Sequence, residues 1–113
     1  MQPAKQIFLS WGMGADSTAL LVNWIDNPRS RNFPLSALTI LTAQTGNEWQ
    51  STKHLCERYI FPLLRKHRIR LVQVARAGQF EEDGIEVLDD SNQPQELFIA
   101  PNGSPFVAYA SAT

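Results

Sequence analysis

Three short apolar runs alternate with two stretches of helical character, and that order constrains the fold more than any other feature of the chain. Ile7-Phe8-Leu9 leads into glycines and reads as a buried strand entering a tight turn. Residues 17–26, Ser-Thr-Ala-Leu-Leu-Val-Asn-Trp-Ile-Asp, place good helix formers behind a hydroxyl able to cap free N–H groups, which predicts a largely buried first helix. Residues 27–34 connect, because Pro28 and Pro34 oppose helix continuation. Residues 37–43, with Leu38, Ile40 and Leu41 among threonines, predict the second strand. A second helix is expected from about Ser51 to His67, with Leu55, Tyr59, Ile60, Leu63 and Leu64 as its apolar stripe. Pro62 would leave the carbonyl of Arg58 without its usual partner, so a kink or two shorter helices should result. Residues 69–75 complete the pattern as a third strand.

Strand, helix, strand, helix, strand calls for parallel pairing through right-handed crossovers. With the strands side by side in the order three-two-one, both crossovers place their helices on one face and leave the other bare. Parallel sheets are normally covered on both faces. Residues 76–113 read as irregular, with the acidic Glu81-Glu82-Asp83 and the turn-rich Ser91-Asn92-Gln93-Pro94, and do not look able to supply that cover. The expectation is a partial α/β domain over 1–113, with a core at 6–75. A missing C-terminal segment or a protein partner would complete its sheet.

The totals narrow the function classes. An apolar share of 43% and a charged share of 19% are those of a packed globular protein rather than a disordered chain. A net charge of −1 gives no push toward nucleic acid or an anionic membrane, so a nucleic-acid partner would need a local patch. The single cysteine, Cys56, excludes an internal disulfide and a cysteine-only metal site, and fits a reducing, cytoplasmic setting. No apolar run approaches the roughly 18 residues of a membrane span.

The turn after the first strand carries the chemistry. Gly12-Met13-Gly14-Ala15-Asp16-Ser17-Thr18 lies between a buried strand and a helix, where backbone N–H groups and a helix N-terminus jointly bind anions. A P-loop is excluded, since no Lys-Ser or Lys-Thr pair exists in the chain. A dinucleotide fingerprint matches at Gly12 and Gly14 but meets Ser17 at the third glycine, and Gln44 stands where a ribose-binding carboxylate belongs.

Trp11-Gly12-Met13-Gly14-Ala15-Asp16-Ser17-Thr18-Ala19-Leu20-Leu21 resembles the S-G-G-x-D-S loop of the PP-loop adenine-nucleotide α-hydrolase superfamily, often followed by T-A-L-L. Gln44-Thr45-Gly46-Asn47-Glu48-Trp49 resembles the D-T-G-x-E-F signature of its phosphoadenosine phosphosulfate reductase-like branch. Gly14, Asp16 and Ser17 match the loop; Gly12 replaces its serine and Met13 its first glycine, with Ser10 as a substitute donor. Pro101-Asn102-Gly103-Ser104-Pro105 resembles a loop that precedes a cysteine-bearing segment in the nearer relatives.

The resemblance implies a three-layer, Rossmann-like parallel sheet and an ATP or adenylyl-sulfate ligand. It also implies chemistry at the α-phosphate or on the sulfate. Nucleotide-binding candidates are Ser10, Gly12, Met13, Gly14, Asp16, Ser17, Thr18, Thr45, Gly46 and Glu48, with Asp16 and Ser17 also the catalytic candidates. Asp16 would orient the loop or hold a Mg²⁺ ion bridged to the phosphates, or it is a loop carboxylate accepting N–H bonds. No protein-only metal site is expected. The full-length protein would be an enzyme and this stretch alone inactive. The alternatives are a nucleotide-binding sensor module without turnover and an NAD-binding Rossmann-type domain.

Other conspicuous residues carry plainer readings. Arg65, Lys66, His67 and Arg68 read as an exposed helix end favoured by the dipole rather than a phosphate site. Cys56 reads as a small buried apolar group, His54 and His67 as solvated side chains, and Glu81, Glu82, Asp83, Glu86, Asp89 and Asp90 as a solvated loop.

Overall fold

The computed structural model describes residues 5–44, 50–77 and 81–98. Thr45, Gly46, Glu48 and the 101–105 loop lie outside the described residues. Among the described residues, four strands form one sheet in the order β1-β2-β3-β4: β1 Ile7–Ser10, β2 Leu38–Gln44, β3 Arg70–Arg76 and β4 Ile85–Ser91. The first three are parallel, with Leu9 beside Ile40 and Ile40 beside Leu71, as the alternation of elements requires. The fourth is antiparallel to β3, with a bulge between Gln73 and Val74. The sheet is therefore mixed, which corrects the expectation of a purely parallel one. It also corrects the reading of everything after residue 75 as irregular.

α1 spans Ala15–Asp26, and a second helical run comprises α2 Gln50–Leu55, a π-helical segment Cys56–Ile60 and α3 Phe61–His67. The buried core joins Leu21 and Ile25 of α1 and Cys56, Phe61 and Leu64 of the second run to Leu38, Ile40 and Leu71 of the sheet. Both helical runs thus cover one face, as strands ordered one-two-three demand. α1 begins two residues earlier than Ser17. It is less buried than expected: only Leu21 and Ile25 are enclosed, and Leu20 is exposed.

The kink expected near Pro62 takes the form of a π-helical turn. The N–H of Phe61 donates to the carbonyl of Cys56, five residues back, and Pro62 sits in the first turn of α3, where a missing N–H is tolerated. The extra residue in that turn shifts the helix's phase. Phe61, absent from the predicted stripe, is fully buried with Cys56 and Leu64, whereas Leu55 and Tyr59 are each 57% exposed. A left-handed Arg68, φ 54°, ends the helix and donates its N–H to the carbonyls of Arg65 and Leu64.

Residues 94–98 pack along the helical side of β3 without joining the ladder. Gln73, fully buried, donates its amide to the carbonyl of Glu96 at 2.9 Å and accepts from the N–H of Phe98 at 2.8 Å. Glu57 accepts from the N–H of Leu97 at 2.8 Å, and Lys53 donates to the carbonyl of Leu97 at 3.0 Å while pairing with Glu57 at 2.6 Å. These side chains take the place of a neighbouring strand, satisfying backbone groups that burial would otherwise leave at a cost.

The opposite face of the sheet is bare among the described residues. Phe8 is 69% exposed, Ile85 72%, Val87 58% and Leu41 41%. β1 is accordingly half-buried rather than buried, with Ile7 and Leu9 facing the helices.

Candidate functional site

The β1–α1 turn is pinned from beneath by Trp11. Its N–H donates to the carbonyl of Leu41 at 2.8 Å, extending the β1–β2 ladder by one residue. Its indole is 1% exposed, and Nε1 donates to Oγ1 of Thr18 at 2.9 Å. Strand end and first helical turn are thereby fastened across the loop. Trp11 was not among the predicted site residues. A tryptophan opening a glycine turn is a cue, since a buried indole N–H needs a nearby acceptor.

Above this anchor the chain reverses through Met13, whose φ of 63° lies in the left-handed region. Gly14 then adopts an extended conformation, φ −80° and ψ 172°, and serves as the N-cap of α1 without any side-chain capping bond. The first intrahelical bond runs from the N–H of Thr18 to the carbonyl of Gly14 at 3.1 Å. The N–H groups of Ala15, Asp16 and Ser17 therefore precede the helix's own ladder, and no protein acceptor meets them among the described residues. The expectation that Ser17 or Thr18 caps the helix is not met: Thr18 Oγ1 accepts from Trp11, and both residues lie inside the helix.

Among the described residues, nothing lies within 4 Å of where a Cβ at Gly12 or Gly14 would stand. No packing contact among the described residues requires glycine at either position. Asp16 is exposed in the first turn, where the dipole favours an acid. Ser10 ends β1 with an exposed side chain opposite Leu41.

Beside the turn lies a pocket of about 260 Å³, walled by Met13, Gly14, Ala15 and Thr18 on one side and by Thr52, Leu55, Cys56, Tyr59 and Ile60 on the other. The second wall was not anticipated as part of a site. Its members fall at i, i+3, i+4, i+7 and i+8, the spacing of one helical face. Leu55, Tyr59 and Ile60 of the expected core stripe are thus this wall.

Burial and the neighbouring Glu57 push the Cys56 thiol up to about 11, which disfavours the thiolate at neutral pH. One further polar group is unsatisfied: Oγ1 of Thr42, on the covered face of β2 next to the Trp11 anchor, has no hydrogen-bond partner among the described residues.

Among the described residues no group of three His, Cys, Asp or Glu side chains could hold a metal ion. Asp16 offers one carboxylate, so any Mg²⁺ there would be held jointly with phosphate oxygens. No helix among the described residues is long and apolar enough to cross a membrane. Compared with known proteins, the chain matches no family model, no curated protein and no solved structure.

Proposed function

We propose that the β1–α1 turn binds the phosphates of an adenine nucleotide, with the adjoining pocket taking an apolar part of the ligand. The carrying observation is the set of N–H groups of Ala15, Asp16 and Ser17, which have no protein acceptor among the described residues and stand at the rim of a pocket. Gly12 and Gly14 support it, since each leaves the backbone open to close approach. On this reading Ser17 donates to a phosphate oxygen and Asp16 orients the loop or shares a Mg²⁺ ion with the phosphates. Thr45, Gly46 and Glu48 would complete the site from the end of β2. In the whole protein the reaction would be of the PP-loop, phosphoadenosine phosphosulfate reductase-like kind, at the α-phosphate of ATP or on an adenylyl-sulfate nucleotide. We read the sheet as part of a three-layer, Rossmann-like domain whose bare face receives cover from a further segment or a protein partner.

The second reading is a nucleotide-binding module without turnover, in which the same turn and pocket hold the ligand. Calorimetric titration with ATP tests binding, and a pyrophosphate-release assay separates the two readings. Ser17→Ala and Gly14→Val should each weaken ATP binding about tenfold or more, through loss of a charge-assisted bond or through steric exclusion. Unchanged affinity in both variants defeats the assignment. A melting temperature raised by NAD and not by ATP would instead mark a dinucleotide site.

A further inference from the structure

We propose that the hollow between the end of α3 and the turn after β4 is a second anion site, shaped for phosphoryl oxygens and separate from the β1–α1 turn. The hollow, about 400 Å³, is lined by Arg65, Lys66, Arg68, Asn92 and Gln93. It lies at the N-terminal end of β3, a seven-residue strand, which places it about 20 Å from the sheet end that carries the loop.

Charge decides what the hollow takes. Lys66 and Arg68 meet no carboxylate among the described residues, and the nearest acid–base pair, Arg70 with Asp90 at 2.7 Å, is closed on itself. The opposing influence is the C-terminal end of α3, worth about half a negative charge against three full positive ones. Two of its last carbonyls are also occupied: that of Leu64 accepts from Ile69 and Arg68, and that of Arg65 from Arg68 and the side-chain amide of Gln93.

The wall is also braced. Arg65 is half-buried, with Nη1 fixed on the carbonyl of Pro94 at 2.7 Å, which leaves other guanidinium donors for a ligand. Arg68 occupies the left-handed position where helices usually end in glycine, a conformation that an arginine seldom adopts. Convergent cationic donors suit an anion with several oxygens, as in a phosphate chain or a nucleic-acid backbone. Residues 65–68 close the helix as expected, with Lys66 and Arg68 exposed, and the proposal adds a ligand at that end.

Arg68→Gly makes a sharp test, because glycine suits the backbone there and should leave the melting temperature equal or higher. In the full chain carrying Gly14→Val, inorganic tripolyphosphate at low ionic strength should shift amide resonances at 65–68 and 92–93. Adding Lys66→Gln and Arg68→Gly should weaken that binding tenfold or more without loss of folding. A short RNA that displaces tripolyphosphate identifies a nucleic-acid backbone as the source, and one that fails to do so identifies a small phosphorylated ligand; either result upholds the site. Unshifted resonances at those positions, or equal affinity in the substituted chain, overturn it.

Discussion

Trp11 and Thr18 show how much of the site depends on one bond. The indole N–H is buried and has Thr18 Oγ1 as its acceptor, so Thr18→Val removes the acceptor while keeping the shape. A buried donor left unpaired costs about 1–3 kcal/mol. Thr18→Val should lower unfolding free energy by that order in urea titration, and Thr18→Ser should restore most of it; equal stability of all three would remove the anchor from the account. Cys56 gives a second test at this scale. With its thiol raised to about 11, alkylation by iodoacetamide should be slow at neutral pH and accelerate about tenfold per pH unit through pH 8–10. A rate that levels off near pH 10 instead of still climbing tenfold per unit would mean an ordinary, accessible thiol. Being the chain's only cysteine, it can be followed without competing signals.

Among the elements, the second helical run departs most from its sequence pattern. The spacing Leu55, Tyr59, Ile60, Leu63, Leu64 is legible as a stripe, and the stripe exists. The π-helical turn ahead of Pro62 rotates it, so that Phe61 enters the core and Leu55 and Tyr59 face the pocket. Proline marked the place of the irregularity but not its form, because a kink, a break or a widened turn all relieve the same missing donor.

The 94–98 segment depends on this run through Glu57. Its carboxyl feels desolvation, which raises its pKa, but hydrogen bonds from Lys53 and the N–H of Leu97, with the charges of Lys53 and His54, outweigh that and hold it below 4.5. A lowered folded pKa means the stabilisation is present above the unfolded value near 4.5 and is lost as pH falls through the folded one. Amide exchange at Leu97 should therefore quicken as pH falls below about 4.5, once corrected for intrinsic rates, and Glu57→Gln should abolish that pH dependence. An exchange profile identical in Glu57→Gln and wild type would dissociate the clamp from Glu57 ionisation.

Over the whole molecule, the two faces of the sheet should answer mutation differently. Phe61 is fully buried among helices and strands, and Phe61→Ala should cost about 3–5 kcal/mol. Phe8 is mostly exposed on the bare face, and Phe8→Ser should cost under about 1 kcal/mol while reducing binding of a hydrophobic dye. A large loss of stability from Phe8→Ser would show that the face is covered in solution.

The order of β1, α1, β2, the second helical run and β3, the parallel pairing, the shared face of the helices and the position of the glycine-containing turn between β1 and α1 all follow from the sequence. They rest on local periodicity and on the handedness of crossovers, which need no distant partner. β4 was missed because its acidic residues looked solvated. The alternation of Ile85 and Val87 about Glu86 was a signal, but its antiparallel pairing is set by β3, and its charges suit an exposed edge. The indole bond across the turn, the pocket wall from a helix some 40 residues downstream and the gathering of Arg65, Lys66 and Arg68 against Asn92 and Gln93 were decided only by the tertiary structure. Each joins groups far apart in the chain or fixes a side-chain direction, and the local sequence carries no energy that specifies such a contact.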